Sequence, residues 1–362
     1  MSTFEDIRPY TDEELPAAMQ RIADWKDFPQ AIRFIYPDAD IAQMREQVKH
    51  IGSIRELQST VMNDAIRRII HSTTEGFSYG GLQYLKRNTP YLFISNHRDI
   101  TLDAFLLQHL LIENGYDTSH IVFGQNLLSV PVMNDLFRCN KLIRMERGGS
   151  PRAFYNSLHH LSEYINHIIV NEKHSLWIAQ KNGRAKNGVD QTAPAMLKMV
   201  CLGGKDEALQ TLTALHPVPI SISYEWDPCD AMKANELYLS SKGEYHKAPG
   251  EDFRSVVAGI IGAKGHVHLE IGRPLTRREM QPAEGEDIYE HVARLLDKRI
   301  QYGYHLMPTN FAAYCLLTGQ ALQGRYTERT ESQLLQRIDE LPNPETRRLM
   351  LEAYAAPVIA VR

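Results

Sequence analysis

The sequence predicts an α/β protein: a mostly parallel sheet flanked by helices, with a helical N-terminal region (1–79), an α/β core (80–280) and a helical C-terminal region (281–362). Three observations carry this reading. Short apolar runs with the length of buried strands recur between residues 91 and 272. Amphipathic segments with helical spacing lie between them. Both ends of the chain show helical periodicity instead. Strands that alternate with helices need crossover connections, and these produce a largely parallel sheet.

Taken in order, Thr11 and Glu14 have capping-box spacing ahead of LPAAMQRIADW, which predicts a first helix. Ile41, Met44, Val48, Ile51, Ile54, Leu57, Val61, Ile66 and Ile69 form one apolar helical stripe, with Gly52 as a break. The predicted strands are YLFIS (91–95), IVFG (121–124), KLIRM (141–145), LWIAQ (176–180), PVPISISY (217–224) and HVHLEIG (266–272). LDAFLLQHLLIEN and RAFYNSLHHLSEYINHII are helices between them. In the tail, Ile288, Val292, Leu295, Leu296 and Ile300 repeat at i, i+4, i+7, i+8 and i+12, a helical stripe.

Composition bounds the function. Forty Lys and Arg against 44 Asp and Glu give a formal charge of −4, so a global basic field for wrapping nucleic acid is absent. Cys139, Cys201, Cys229 and Cys315 form no C-x-x-C pair, which speaks against a disulfide framework or a zinc ribbon. The N-terminus is acidic and polar, unlike a secretory signal, and no window reaches the ~18 apolar residues of a spanning helix. A cytoplasmic protein is expected, with any membrane contact peripheral.

The chemistry is expected in ISNHRDITLDAFLL, residues 94–107. An apolar strand ends, Asn96 and His97 follow, and a helix begins. Side chains at the C-terminal end of a parallel strand face the crevice where α/β proteins bind ligands. Asp103, one turn into the helix, has the reach to hydrogen-bond one imidazole nitrogen and leave the other free as a general base. Asp99 competes as partner, two residues from His97, but its place suits an N-cap.

This segment resembles the glycerolipid acyltransferases, which esterify glycerol-3-phosphate or its monoacyl form from acyl-CoA or acyl carrier protein. That family carries N-H-x-x-x-x-D after a core strand, its His activating the acceptor hydroxyl. The resemblance implies three further blocks, and each has a counterpart. KLIRMER places Arg147 after a short strand, KNGRAKNG (181–188) stands for the Gly- and Arg-bearing third block, and PVPISISYE (217–225) for the Pro-bearing fourth. GRPL (272–275) resembles the segment that closes the core. Two departures stand out. Five residues, not four, separate His97 from Asp103, and Lys181 or Asn182 replaces the third block's Glu, while Gly183 and Arg184 survive.

The basic residues fit an anion site. Arg138, Lys141, Arg144, Arg147 and Arg152 form one group, and Lys181, Arg184 and Lys186 a second at another strand end. Arg forks bind phosphate oxygens in pairs. Arg147, Arg184 and Gly183 are the expected acceptor-phosphate residues, with Arg144 and Lys186 beside them. The expected partners are an acyl donor, CoA or carrier protein, and a glycerophosphate or lipid acceptor, with no cofactor and no metal. The first basic group is the expected contact with an anionic membrane.

Other motifs point elsewhere. HRD at 97–99 lacks the Asn that a protein-kinase catalytic loop needs, since that position is Ala104. GFSYG (76–80) matches G-x-S-x-G, but the expected flanks are a helix before and a loop after, so it reads as a connection from arm to core. Ser78 as the nucleophile of a serine hydrolase is one rival reading. A non-catalytic lipid- or phosphate-binding protein on the same scaffold is the other. His266 and His268 share a strand face without acid or Cys spacing that would support a metal.

Overall fold

A computed structural model of the chain describes residues 4–124, 131–146, 148–322 and 324–361. Its centre is one seven-stranded sheet. The strands are β1 (Thr74–Gly80), β2 (Leu92–Ser95), β3 (His120–Gly124), β4 (Leu142–Met145), β5 (Leu176–Ala179), β6 (Pro217–Tyr224) and β7 (Gly265–Ile271), ordered β1-β7-β6-β2-β5-β3-β4. Pairing is parallel throughout except between β6 and β7. The fold is the expected α/β one.

The central strands carry apolar side chains on both faces, as a sheet covered on both sides requires. In β2, Leu92 and Ile94 face one core while Phe93 faces the other. The first core is closed by helices Pro151–Asn166, Pro194–Cys201 and Ile288–Gly303, through Leu161, Ile165, Leu197, Val200, Val292 and Leu296. The second is closed by helices Asn63–Thr73 and Leu102–Glu113, through Ile66, Ile69, Leu106 and Leu110. Helix Leu102–Glu113 is apolar nearly all round and buried accordingly.

At the N-terminal end, helices Leu15–Ala23 and Ile41–Lys49 pack Leu15, Met19 and Val48 together with Leu57. The expected break at Gly52 is present: the helix ends at Lys49 and the next begins at Ile54. The C-terminal helices Pro308–Thr318, Glu328–Asp339 and Pro344–Ala360 form a further cluster and pack against helix Asp230–Lys242. Asp230 fastens that contact by accepting from Arg337 and from the Tyr354 hydroxyl at 2.8 Å.

One element differs from expectation. Residues 76–80 are not a connection but the middle and end of β1, the edge strand, and the sheet begins at Thr74. TEGFSYG lacks the buried apolar alternation that marks a strand, because one face of β1 meets polar side chains of β7 instead of a core.

Gly188, in the loop after β5, has φ +74°, and a Cβ there would lie 2.0 Å from the Ala353 carbonyl oxygen. This loop and helix Pro344–Ala360 therefore meet backbone to backbone. Gly188→Ala combines left-handed strain with overpacking and is expected to lower stability by about 2–5 kcal/mol. The check is the urea midpoint at unchanged slope; a wild-type midpoint would show that the helix does not close on this loop.

Candidate active site

The site is built where β2 ends. The backbone pairing of β2 with β6 runs from Leu92↔Pro217 to Ser95↔Ile220. The Asn96 side chain then takes over. Its Oδ1 accepts from Ile222 N at 2.8 Å, and its Nδ2 donates to Ile222 O at 3.0 Å and to Asp190 at 3.1 Å. The amide thus imitates a strand residue while the main chain turns away, which frees His97 to leave the sheet.

His97 Nδ1 lies 2.9 Å from Asp103 Oδ2. The same oxygen accepts from Arg98 N at 2.6 Å and Asp99 N at 2.9 Å, and Oδ1 accepts from the Tyr224 hydroxyl at 2.9 Å. Asp103 is fully buried and sits in the first turn of helix Leu102–Glu113, where the helix dipole favours a negative charge. Four donors and no acceptor suit an ionised carboxylate. With Nδ1–H donated to it, Nε2 carries the lone pair on the opposite edge of the imidazole. The ring is 15% exposed and stands edge-on to Trp177, centroids 5.9 Å apart.

Asp99 does not pair with His97. Its Oδ1 accepts from Thr101 N and Leu102 N at 2.9 and 2.8 Å, starting the helix. Its Oδ2 is buried without a hydrogen-bond partner, against Gly259, where a Cβ would lie 2.2 Å away. Burial first, and then Asp103, push the Asp99 carboxyl up.

The loop after β5 comes directly to His97. Ala185 N donates to the His97 carbonyl at 2.7 Å. Gly183 is exposed, with φ +79°. The Arg184 guanidinium donates through Nη2 to Ser255 at 3.1 Å, while Nη1 is buried without a partner. Despite burial, Cys229, Asp227 and Asp99 keep it charged. Lys186 is held by Glu236, and burial lowers Lys181, whose Nζ reaches Val189 O at 3.4 Å. Arg98 is buried beside Asp190 at 2.6 Å and stacks on Tyr304, while Lys233 donates to the Arg98 carbonyl at 2.6 Å. A cavity of about 30 Å³ lies behind this network, between Arg98, Tyr224, Asp227, Lys233 and Tyr304. It has room for water and not for a substrate.

The first basic group is placed otherwise than expected. The two groups do not project from neighbouring strands, because β3 stands between β4 and β5, a span of about 10 Å, and β4 is about 14 Å from β2. Arg144 is on β4 and pairs with Glu146 at 3.2 Å. Arg138 is tied to the Arg8 and Glu5 carbonyls, and Lys141 to Thr118, so neither is part of a free basic face. Arg147 lies outside the described residues.

Tyr224, Arg98, Asp190 and Trp177 belong to the site without having been singled out in the sequence. The available signal was weak: Tyr224 is next to last in the fourth block, and Arg98 follows the His. What they touch depends on strand order, which no local pattern encodes.

Asp99→Asn preserves the turn and removes a buried charge. The raised acid binds its proton more tightly in the native state, so its contribution to stability falls as pH rises from the ordinary Asp range through the raised value. The Asn variant should therefore gain on wild type as pH rises from the ordinary Asp range, about pH 4, upward. Urea midpoints of both proteins across that range test this; a constant difference would mean that Asp99 titrates normally.

Among known proteins, residues 76–203 match the family model Acyltransferase. No curated protein gives a significant sequence match. Among solved structures, the 1-acyl-sn-glycerophosphate acyltransferase PlsC of Thermotoga maritima superposes with a TM-score of 0.40 at 12% identity, over 80% of this chain and 95% of that one. The matched segment runs from within β1 through helix Pro194–Cys201 and contains both His97 and Asp103. Over residues 76–203 this chain is thus similar to the acyltransferase family.

Proposed function

We propose that this chain moves a fatty acyl group from a thioester donor, acyl-CoA or acyl carrier protein, to a hydroxyl of a phosphate-bearing glycerol or lipid acceptor. The observation that carries the reading is the 2.9 Å contact of His97 Nδ1 with a buried carboxylate, inside the segment that matches the family. His97 Nε2 takes the proton of the acceptor hydroxyl. The oxygen attacks the thioester carbonyl, the tetrahedral intermediate collapses, and the thiol leaves with the proton that His97 held. Asp103 keeps Nδ1 protonated and stabilises the imidazolium formed on the way.

The acceptor's phosphate is assigned to Gly183 and Arg184. The support is the bond from Ala185 N to His97 O, which places this loop at the base, and the unpartnered Arg184 Nη1. Arg147 stays a second candidate on its motif position. Lys186, paired to Glu236, and Arg144, on β4, are left out.

The test is turnover with labelled acyl-CoA and acyl carrier protein against a panel of glycerophosphate and lysophospholipid acceptors, with products identified by mass. His97→Ala is expected to lower kcat by ~10²–10⁴-fold with both substrates still bound. Asp103→Asn should cost kcat at little change in KM. A His97→Ala variant that keeps more than about a third of the wild-type kcat removes His97 as the base.

Arg184→Ala is expected to raise the acceptor KM about 10- to 150-fold, the value of a lost charged hydrogen bond, and to spare the donor KM. Equal effects on both substrates would assign Arg184 to the fold or to the donor's phosphates.

A further inference from the structure

A second polar cluster lies at the far edge of the sheet, on β1 and β7. In parallel register, Gly76 pairs with His266, Ser78 with His268 and Gly80 with Glu270. On β7 the odd residues Val267, Leu269 and Ile271 enter the core, so His266, His268 and Glu270 share the other face. The two glycines flank Ser78 at i−2 and i+2 and therefore lie on its face. A Cβ at Gly76 would meet His266 Nδ1 at 3.0 Å, and one at Gly80 would meet Glu270 Oε2 at 2.0 Å. The G-x-S-x-G spacing here serves no nucleophile elbow. It lets an imidazole and a carboxylate lie across the strand on either side of the serine.

The hydrogen bonds have one consistent direction. His268 Nε2 lies 3.3 Å from Glu270 Oε2 and donates its proton there. That leaves the Nδ1 lone pair facing Ser78 Oγ at 2.8 Å, which receives the serine proton. His266 Nε2, 2.7 Å from the same Oγ, donates to it. Burial, with His305 nearby, holds His268 in its neutral, basic form. His305 stands beside the cluster, its ring 4.9 Å from that of His268, and its backbone N–H donates to Ser223 at 2.9 Å. Ser221, in register with Glu270, keeps a buried hydroxyl without a partner on the same side. Among the described residues no three His, Cys, Asp or Glu side chains converge as metal ligands, this group included. Two of its nitrogens converge on a hydroxyl instead.

We propose that Ser78, His268 and Glu270 form a second, nucleophilic site that takes the acyl group of activated esters and thioesters. Ser78 Oγ attacks the carbonyl carbon while its proton passes to His268 Nδ1. The carbon–oxygen or carbon–sulfur bond of the leaving group breaks, and His268 returns the proton to the departing alcohol or thiol. Water then attacks acyl-Ser78 with His268 again as base, releasing the carboxylic acid and restoring the serine. His266 N–H steadies the developing alkoxide. This site is independent of His97.

The experiment is labelling of the full chain with a fluorophosphonate and, separately, p-nitrophenyl acetate turnover. One adduct per chain, mapped to Ser78 by peptide mass, is expected on wild type and equally on His97→Ala, and none on Ser78→Ala. His268→Gln should slow labelling about 100-fold or more, and Glu270→Gln supplies the same test should His268→Gln fail to fold. An unlabelled native wild type, an adduct that persists in Ser78→Ala, labelling indifferent to both relay variants, or loss of the adduct in His97→Ala would each overturn the proposal.

Discussion

Asp103 has no solvent exposure and accepts from His97, from two successive backbone N–H groups and from Tyr224. These contacts join the end of β2, the turn after it, the start of helix Leu102–Glu113 and the end of β6. A buried carboxylate is tolerated only when its lone pairs are met, and here three donors come from the turn just before it and the fourth from Tyr224, 121 residues away. Taking one partner away would leave a desolvated charge, which costs more than an exposed ion pair ever contributes. The placement of His97 is thus over-determined by the fold.

Around that carboxylate a second layer fixes the turn from the other side. Arg98 is held by Asp190, Asp190 by Asn96, and the Arg98 carbonyl by Lys233. Lys233 also pairs with Asp227, and Asp230 on the same helix engages Arg337 and Tyr354. The C-terminal helices are therefore coupled to the His97 turn through a continuous set of buried polar contacts. Such networks set geometry more than they add net stability, because the desolvation they require offsets most of the attraction.

The two polar clusters differ in how the sheet makes them. The His97 site uses the crevice beyond a strand end, where the main chain leaves the ladder. The Ser78 cluster lies flat on the sheet, on strands that pair side by side, and is shaped by glycines that leave space for neighbouring side chains. β7 and β6 stand between β1 and β2, about 14 Å in all, so the two do not share a crevice.

Six of the seven strands, the break at Gly52 and the His97–Asp103 spacing were legible in the sequence, because hydrophobic runs, glycine and helix reach are local properties. β1 was not legible: its partners are the His and Glu side chains of β7, so no apolar alternation marks it. That Arg144 stands three strands from β2, and that Arg138 and Lys141 serve carbonyl and hydroxyl groups, followed only from tertiary structure. The chain's own pattern determines which segments become strands and helices. Strand order, and with it which charges end up as neighbours, is decided by packing between segments up to some 190 residues apart, as Ser78 and His268 are.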